Sequence, residues 1–242
     1  MANSLTPRDL LDALRRDLAR FGIDVVSSAR IGPADRARFH PSIAGIAASL
    51  DHAIVIGHRL SDQVLATIEG APNWTYYHHY RTVNFALDQA ALFCAGECRR
   101  AGYRAFPVPA SQVMDWDRLL GHLSHRELGA LAGVGWRGRN NLLVHPEYGS
   151  QVRYASVLTD APLPDRGIEL DAERGCGSCR ACVGACPAGA IKMDPESFDL
   201  DRCAAQVRRF SQSEKLNVLI CGICVRACGG SAGAVPPGGN CA

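Results

Sequence analysis

The stretch CGSCRACVGACP, residues 176–187, sets Cys176, Cys179, Cys182 and Cys186 at C-x2-C-x2-C-x3-C-P spacing. A loop of this spacing wraps three thiolates around one [4Fe–4S] cube, while the fourth cysteine turns away to a second cube. The remaining ligands must come from further along the chain. Cys203 stands alone there, and CGICVRAC, residues 221–228, supplies Cys221, Cys224 and Cys228. Closing the count assigns Cys176, Cys179, Cys182 and Cys228 to a first cluster, and Cys186, Cys203, Cys221 and Cys224 to a second. One departure from a symmetric repeat is Gly229, which follows Cys228 where proline would be expected.

Two other readings of the cysteines are weaker. A disulfide framework suits a short secreted chain, whereas 242 residues can build a core without staples. Zinc also binds paired C-x2-C elements, but it needs neither the three-step run nor the proline after the fourth cysteine.

The length fits a body of about 165 residues with a small cluster module attached. The expected partition is an α/β domain over 1–165, a bacterial-ferredoxin-like two-cluster module over 166–230, and a disordered tail over 231–242. No apolar run reaches the roughly 18 residues of a membrane helix, and the N-terminus has neither a signal-peptide pattern nor a twin arginine. The expectation is therefore a cytoplasmic protein with no membrane partner. The formal charge is +2. Two oxidised clusters bring about −2 each, which argues against a broad basic surface for nucleic acid.

Leu10, Leu11, Leu14 and Leu18 recur at helical spacing over 7–20, and an extended segment follows over 23–31. Residues 53–57 read as a buried strand, and Ser61 as the N-cap of a helix running to Ile68. The aromatic cluster Tyr76, Tyr77, His78, His79 and Tyr80 leads into a long helix ending near Gly102, with Cys94 and Cys98 one turn apart on it as core residues. Strands are expected over 103–108 and 151–159. Between them Ser124 and Glu127 form a capping box for a helix that begins at His125. That helix runs into a loop with glycines at 133, 135 and 138 and donors from Arg137, Arg139, Asn140 and Asn141, a pattern suited to close approach of a ligand.

These residues resemble a known family. The segment 135–143 (GWRGRNNLL), then PEYGS at 146–150, VLTD at 157–160 and the cysteine run look like epoxyqueuosine reductase. That family is similar in architecture to the reductive dehalogenases. The resemblance implies a cobalamin carried on a nitroreductase-like α/β domain and reduced through two [4Fe–4S] clusters. By the same resemblance Trp136, Arg139, Asn140, Asn141, Tyr148, Gly149 and Ser150 are candidates for corrinoid contact. Two features depart from the family. Its aspartate motif upstream of the tryptophan is missing from 107–125, and the chain stops soon after Cys228. Both speak against tRNA as the substrate and for a small molecule.

The expected activity is that of a reductase fed by an external donor such as ferredoxin or flavodoxin. His125 is the first candidate for the proton donor, with Tyr76 and Asp115 behind it and Tyr77 and Tyr80 weaker still. The rival expectation is a non-catalytic electron-transfer protein that reduces a separate corrinoid or redox partner.

Overall fold

The computed structural model describes residues 6–165 and 175–230. The expected tail over 231–242 and most of the expected linker before Cys176 lie outside them. In chain order the elements are α1 (Pro7–Ala19), β1 (Val25–Arg30), α2 (Pro33–Arg36), α3 (Ala44–Ala47), β2 (His52–Arg59), α4 (Asp62–Ala66), α5 (Trp74–Arg100), β3 (Ala105–Val108), α6 (His125–Leu131), β4 (Trp136–Arg137), β5 (Leu143–Val144), β6 (Val152–Thr159), α7 (Ala181–Ala185), α8 (Leu200–Ser213) and α9 (Ile223–Arg226). This is a mixed α/β chain. No described helix is long and apolar enough to cross a membrane.

Two compact units divide the chain, and they interleave. One takes 6–58, 83–134 and 153–165 of the described residues; the other takes 59–82, 135–152 and 175–230. A partition at residue 165 assigns 59–82 and 135–152 to the first body, whereas the packing draws both segments to the cysteine-rich one.

The first unit is built on a sheet of order β1-β2-β6-β3, in which β1 pairs antiparallel with β2 and β3 antiparallel with β6. Helix α1 forms because Leu10, Leu11, Leu14 and Leu18 make one apolar stripe, each at most 1% exposed. Its first turn is closed by a capping box between Thr6 and Asp9. Strand β6 alternates its partners, as the two-residue period of a strand requires. On one face Arg153 donates to Asn84 of α5 at 3.0 Å, and Thr159 donates to the Arg104 carbonyl at 2.7 Å. On the other face Ser156 meets His125 of α6.

The second unit holds the start of α5, the small β4–β5 ribbon and the cysteine-rich helices. Trp136 pairs with Val144 and Arg137 with Leu143 in that ribbon. The glycines there serve the ribbon, because a Cβ on Gly135 would lie 2.0 Å from the Val144 carbonyl oxygen and one on Gly138 would lie 2.4 Å from the Val144 side chain. They admit a neighbouring strand where the sequence reading expected a ligand.

Candidate functional site

Four thiols of the second unit line one cavity. Cys186, Cys203, Cys221 and Cys224 surround it together with Pro187, Ala188, Ile191, Phe198, Val207 and Ile223, and Asn140 and Gln206 are its polar lining. The local folding explains how four separated cysteines meet. Cys186 ends α7, Cys203 lies in the first turn of α8 after the Asp199 N-cap, and Cys221 and Cys224 flank Gly222 at the start of α9. Gly222 sits at φ +79°, where a Cβ would meet the Tyr76 ring at 2.6 Å and Ile68 at 2.8 Å. Only glycine allows the turn between these two cysteines to rest on Tyr76. Tyr76, expected to be catalytic, is 3% exposed and forms the floor under that turn.

Cys176, Cys182 and Cys228 form a second group, recognisable by the mutual repulsion of their thiols. The backbone of Cys179 closes the turn on Cys176 at 2.9 Å. Its sulfur is disulfide-bonded, so it would have to be reduced before it could ligate a metal. Burial pushes the Cys182 thiol up to about 11, with Cys228 and Cys176 adding to the effect. Burial likewise pushes Cys221 up to about 11 and Cys224 well above the ordinary thiol range. Thiols crowded together out of water stay protonated until a cation takes the protons' place.

The donor set fits an iron–sulfur cube better than a single ion. Zinc at about 2.3 Å from each sulfur would draw four sulfurs to within about 3.8 Å of one another. A cube keeps its ligands on separate corners, and four thiols spaced around an apolar cavity suit that body.

Most residues expected to touch a corrinoid instead hold the cysteine loops. Arg139 is 9% exposed, and its guanidinium donates to the carbonyls of Gly177 at 2.7 Å, Cys179 at 2.8 Å and Met193 at 2.6 Å. It clamps the C-x2-C-x2-C loop. Asn140 donates to the Ser150 hydroxyl at 2.9 Å, and the Ser150 backbone N–H donates to the Cys228 carbonyl at 3.0 Å. Gly149, at φ +60°, packs its bare Cα against Cys228 and Gly230. Asn141 adopts φ 59° in the tight turn of the ribbon and accepts from Arg137 at 3.0 Å. Tyr148 stacks on His145 with ring centroids 4.7 Å apart and lies under the Arg59 guanidinium. Trp136 keeps a buried indole N–H without a partner, and in the first unit the buried Tyr154 hydroxyl is likewise unpaired. In the second unit the Trp136 donor is the feature that fits a further bound group.

The other expected catalytic residues lie in the first unit. His125 shares a hydrogen bond with the Ser156 hydroxyl at 2.9 Å through Nδ1 and another with the Pro109 carbonyl at 2.9 Å through Nε2. A carbonyl can only accept, so Nε2 carries the proton and Nδ1 takes the serine's. Desolvation lowers the ring to about 4 and keeps it neutral. Such a ring ties α6 to β6 and has no spare proton to give. Asp115 is used as a turn former, its carboxylate accepting from the backbone of Asp117 at 3.0 Å and Arg118 at 2.9 Å. Gln151 was not expected at all, yet its side chain donates to the Arg226 carbonyl at 3.0 Å and secures the end of α9. Its adjacency to PEYGS was the signal available.

No described protein-family signature matches the chain. Over 81 residues it is 44% identical to an epoxyqueuosine reductase of Listeria monocytogenes, an alignment that takes in 31% of this chain and 20% of that protein. The chain thus matches about a fifth of the length of such curated relatives. In fold it is similar to a reductive dehalogenase whose structure is described as suggesting a mechanism for B12-dependent dehalogenation, with a TM-score of 0.72, 20% identity, and coverage of 94% of this chain and 32% of that one. It is also similar to an epoxyqueuosine reductase solved with an epoxyqueuosine-modified tRNA stem loop, with a TM-score of 0.54, 22% identity, and coverage of 81% and 56%.

Proposed function

We propose that the chain is an iron–sulfur reductase that passes single electrons through two [4Fe–4S] clusters to a cobalamin, which reduces the substrate. One observation carries the reading: four thiols from three separate segments line a single apolar cavity, beside a loop whose spacing suits a second cluster. Cys176, Cys179, Cys182 and Cys228 hold the first cluster, and Cys186, Cys203, Cys221 and Cys224 the second, in a ferredoxin-like module. An external donor such as ferredoxin or flavodoxin supplies the electrons, in a cytoplasmic setting that keeps the thiols reduced. A bound cobalamin would contribute a strongly reducing cobalt centre. The chain's own contribution to that site is the unpaired indole N–H of Trp136, a donor awaiting an acceptor.

The relatives' names support a reductase over a passive carrier, and the runner-up reading is an electron-transfer protein without a corrinoid. Exclusion of tRNA finds no support in the comparisons, since one neighbour in fold was solved with a tRNA stem loop. A small molecule remains the proposed substrate, and retention of tRNA at low salt that is lost as salt rises would replace it.

The decisive experiment is anaerobic reconstitution with iron and sulfide, followed by titration with cob(II)alamin observed by EPR. The expected result is about eight irons per chain and a saturable change in the cobalt signal. Two intact clusters beside an unchanged cobalt signal would leave the electron carrier, and fewer than about four irons would remove both readings.

A further inference from the structure

Helix α8 walls the four-cysteine cavity with one face and meets solvent with the other. Cys203, Gln206 and Val207 line the cavity, and Ala204 and Phe210 are buried. On the opposite side Ala205, Arg208, Arg209 and Gln212 follow at i, i+3, i+4 and i+7, the spacing of a single helical stripe, and all four are exposed. Past the end of the helix the Lys215 backbone N–H returns to the Gln212 carbonyl at 3.2 Å, which holds the exposed Lys215 at the same end. Among the described residues no carboxylate pairs with Arg208, Arg209 or Lys215, whereas Arg202 in the first turn is held by Asp199 at 3.2 Å. The acids nearest in sequence are Asp201, at the far end of the helix, and Glu214, which accepts from the Ser213 hydroxyl at 3.0 Å. Three cations beside Glu214 leave the C-terminal half of α8 positive on its solvent side. Ala205 presents only a methyl group there, so it does not hold a partner's surface away.

An α-helix with its side chains is about 10–12 Å across, so a protein docked on this stripe comes within one helix width of the cavity that Cys203 lines. We infer that the exposed stripe of α8 is the docking surface for the external electron donor, and that the donor is an acidic one-electron carrier protein whose carboxylates face Arg208, Arg209 and Lys215. The inference rests on the reading above that Cys186, Cys203, Cys221 and Cys224 hold a cluster. In the transfer the reduced carrier loses one electron and the oxidised cluster takes it, and no bond is made or broken. Opposed charges of this kind speed encounter and fix orientation more than they tighten a complex, which suits a donor that has to leave once oxidised. Cations at a helix C-terminus also steady the helix itself through its dipole. That role shows in denaturation and not in affinity for a partner.

The test takes the anaerobically reconstituted full chain and two acidic carriers, an oxidised ferredoxin and an oxidised flavodoxin, and measures affinity by calorimetry. At least one carrier should bind, and its affinity should fall about tenfold or more between about 0.02 M and about 0.3 M salt as the screening length shrinks. Arg208→Glu with Arg209→Glu should weaken binding about tenfold or more at low salt, and the Gln versions of the same pair should weaken it less. The control is Arg8→Glu with Arg16→Glu, which changes the net charge equally at exposed positions of α1 and should leave the affinity as it was. Lys215→Glu lies outside the helix and decides the matter if the α8 pair fails to load iron. Stopped-flow reduction by the reduced carrier should slow in the same order, with the final extent of reduction unaltered. Failure of both carriers to bind, binding indifferent to salt, or equal losses from the α8 and α1 variants at full iron content would overturn the inference. An unmodified chain that takes up fewer than about four irons is a separate result and would overturn the reading beneath it.

Discussion

Gly149→Ala should weaken the cysteine-rich unit far more than its small volume suggests. Gly149 lies at φ +60°, where a residue bearing a Cβ pays about 1 kcal/mol. The added carbon would also lie 2.1 Å from the Cys228 carbonyl oxygen, 2.6 Å from its carbon and 2.5 Å from the Gly230 nitrogen. All three are backbone atoms, so no side chain can swing aside. A carbon–oxygen contact normally relaxes to about 3.3 Å, and the segment around Gly149 must therefore part from Cys228 by about 1 Å. That movement breaks the hydrogen bond from the Ser150 N–H to the Cys228 carbonyl, now 3.0 Å, which is buried and worth about 1–3 kcal/mol. The sum is a loss of about 2–4 kcal/mol. Gly70 is the control, because it sits at φ +72° with nothing within 4 Å of its would-be Cβ. Gly70→Ala should cost the backbone contribution alone, about 1 kcal/mol. Chemical denaturation of the two variants under reducing conditions measures the difference, and iron analysis after reconstitution should show loss centred on the cluster that Cys228 ligates. Equal destabilisation of the two variants would refute the close-packing argument.

Cys203→Ala should lower the iron content from about eight to about four per chain, and retention of all eight would break the ligand assignment. His125 ought to make stability fall as the medium is acidified. Its folded value of about 4 lies below the ordinary 6.5, so the unfolded chain takes up a proton first, stability is lost as pH drops from about 6.5 to about 4, and His125→Gln should flatten that limb of the denaturation profile. A His125 ring proton that shifts by NMR near pH 6.5 would show the ring to be solvated after all. Tyr154→Phe deletes an unpaired buried hydroxyl, so the protein should be unchanged or up to about 1 kcal/mol more stable in chemical denaturation, and a clear loss of stability would show the hydroxyl to be paired.

Local order was legible wherever one segment carried the whole signal. The leucine stripe of α1, the turn leading into β6 and the Ser124 cap of α6 each needed only neighbours in sequence, and the elements appear within a few residues of where the pattern places them. The helix α8 buries only Ala204 and Phe210 among its polar residues, a sparse apolar signal beside the full stripe of α1. The sheet order β1-β2-β6-β3 was not legible, because pairing of distant strands is decided by tertiary packing. The site divides along the same line. Spacing alone separates Cys176 and Cys182 from Cys186, and in the fold Cys186, Cys203, Cys221 and Cys224 line one cavity.

Arg139, Asn140, Gly149 and Ser150 illustrate where local reading stops. Polar side chains among glycines read equally well as a ligand loop or as a brace, since both uses need donors and close backbone approach. What distinguishes them is the destination of the donors. Three carbonyls at residues 177, 179 and 193 meet one guanidinium, and no pattern within 135–150 encodes that meeting. A segment that braces the cysteine loops on several residues and leaves Trp136 with an unpaired donor can join the order of those loops to the binding of a second group. Loss of the Arg139 clamp should then disturb both, whereas loss of the Trp136 indole should disturb only the second.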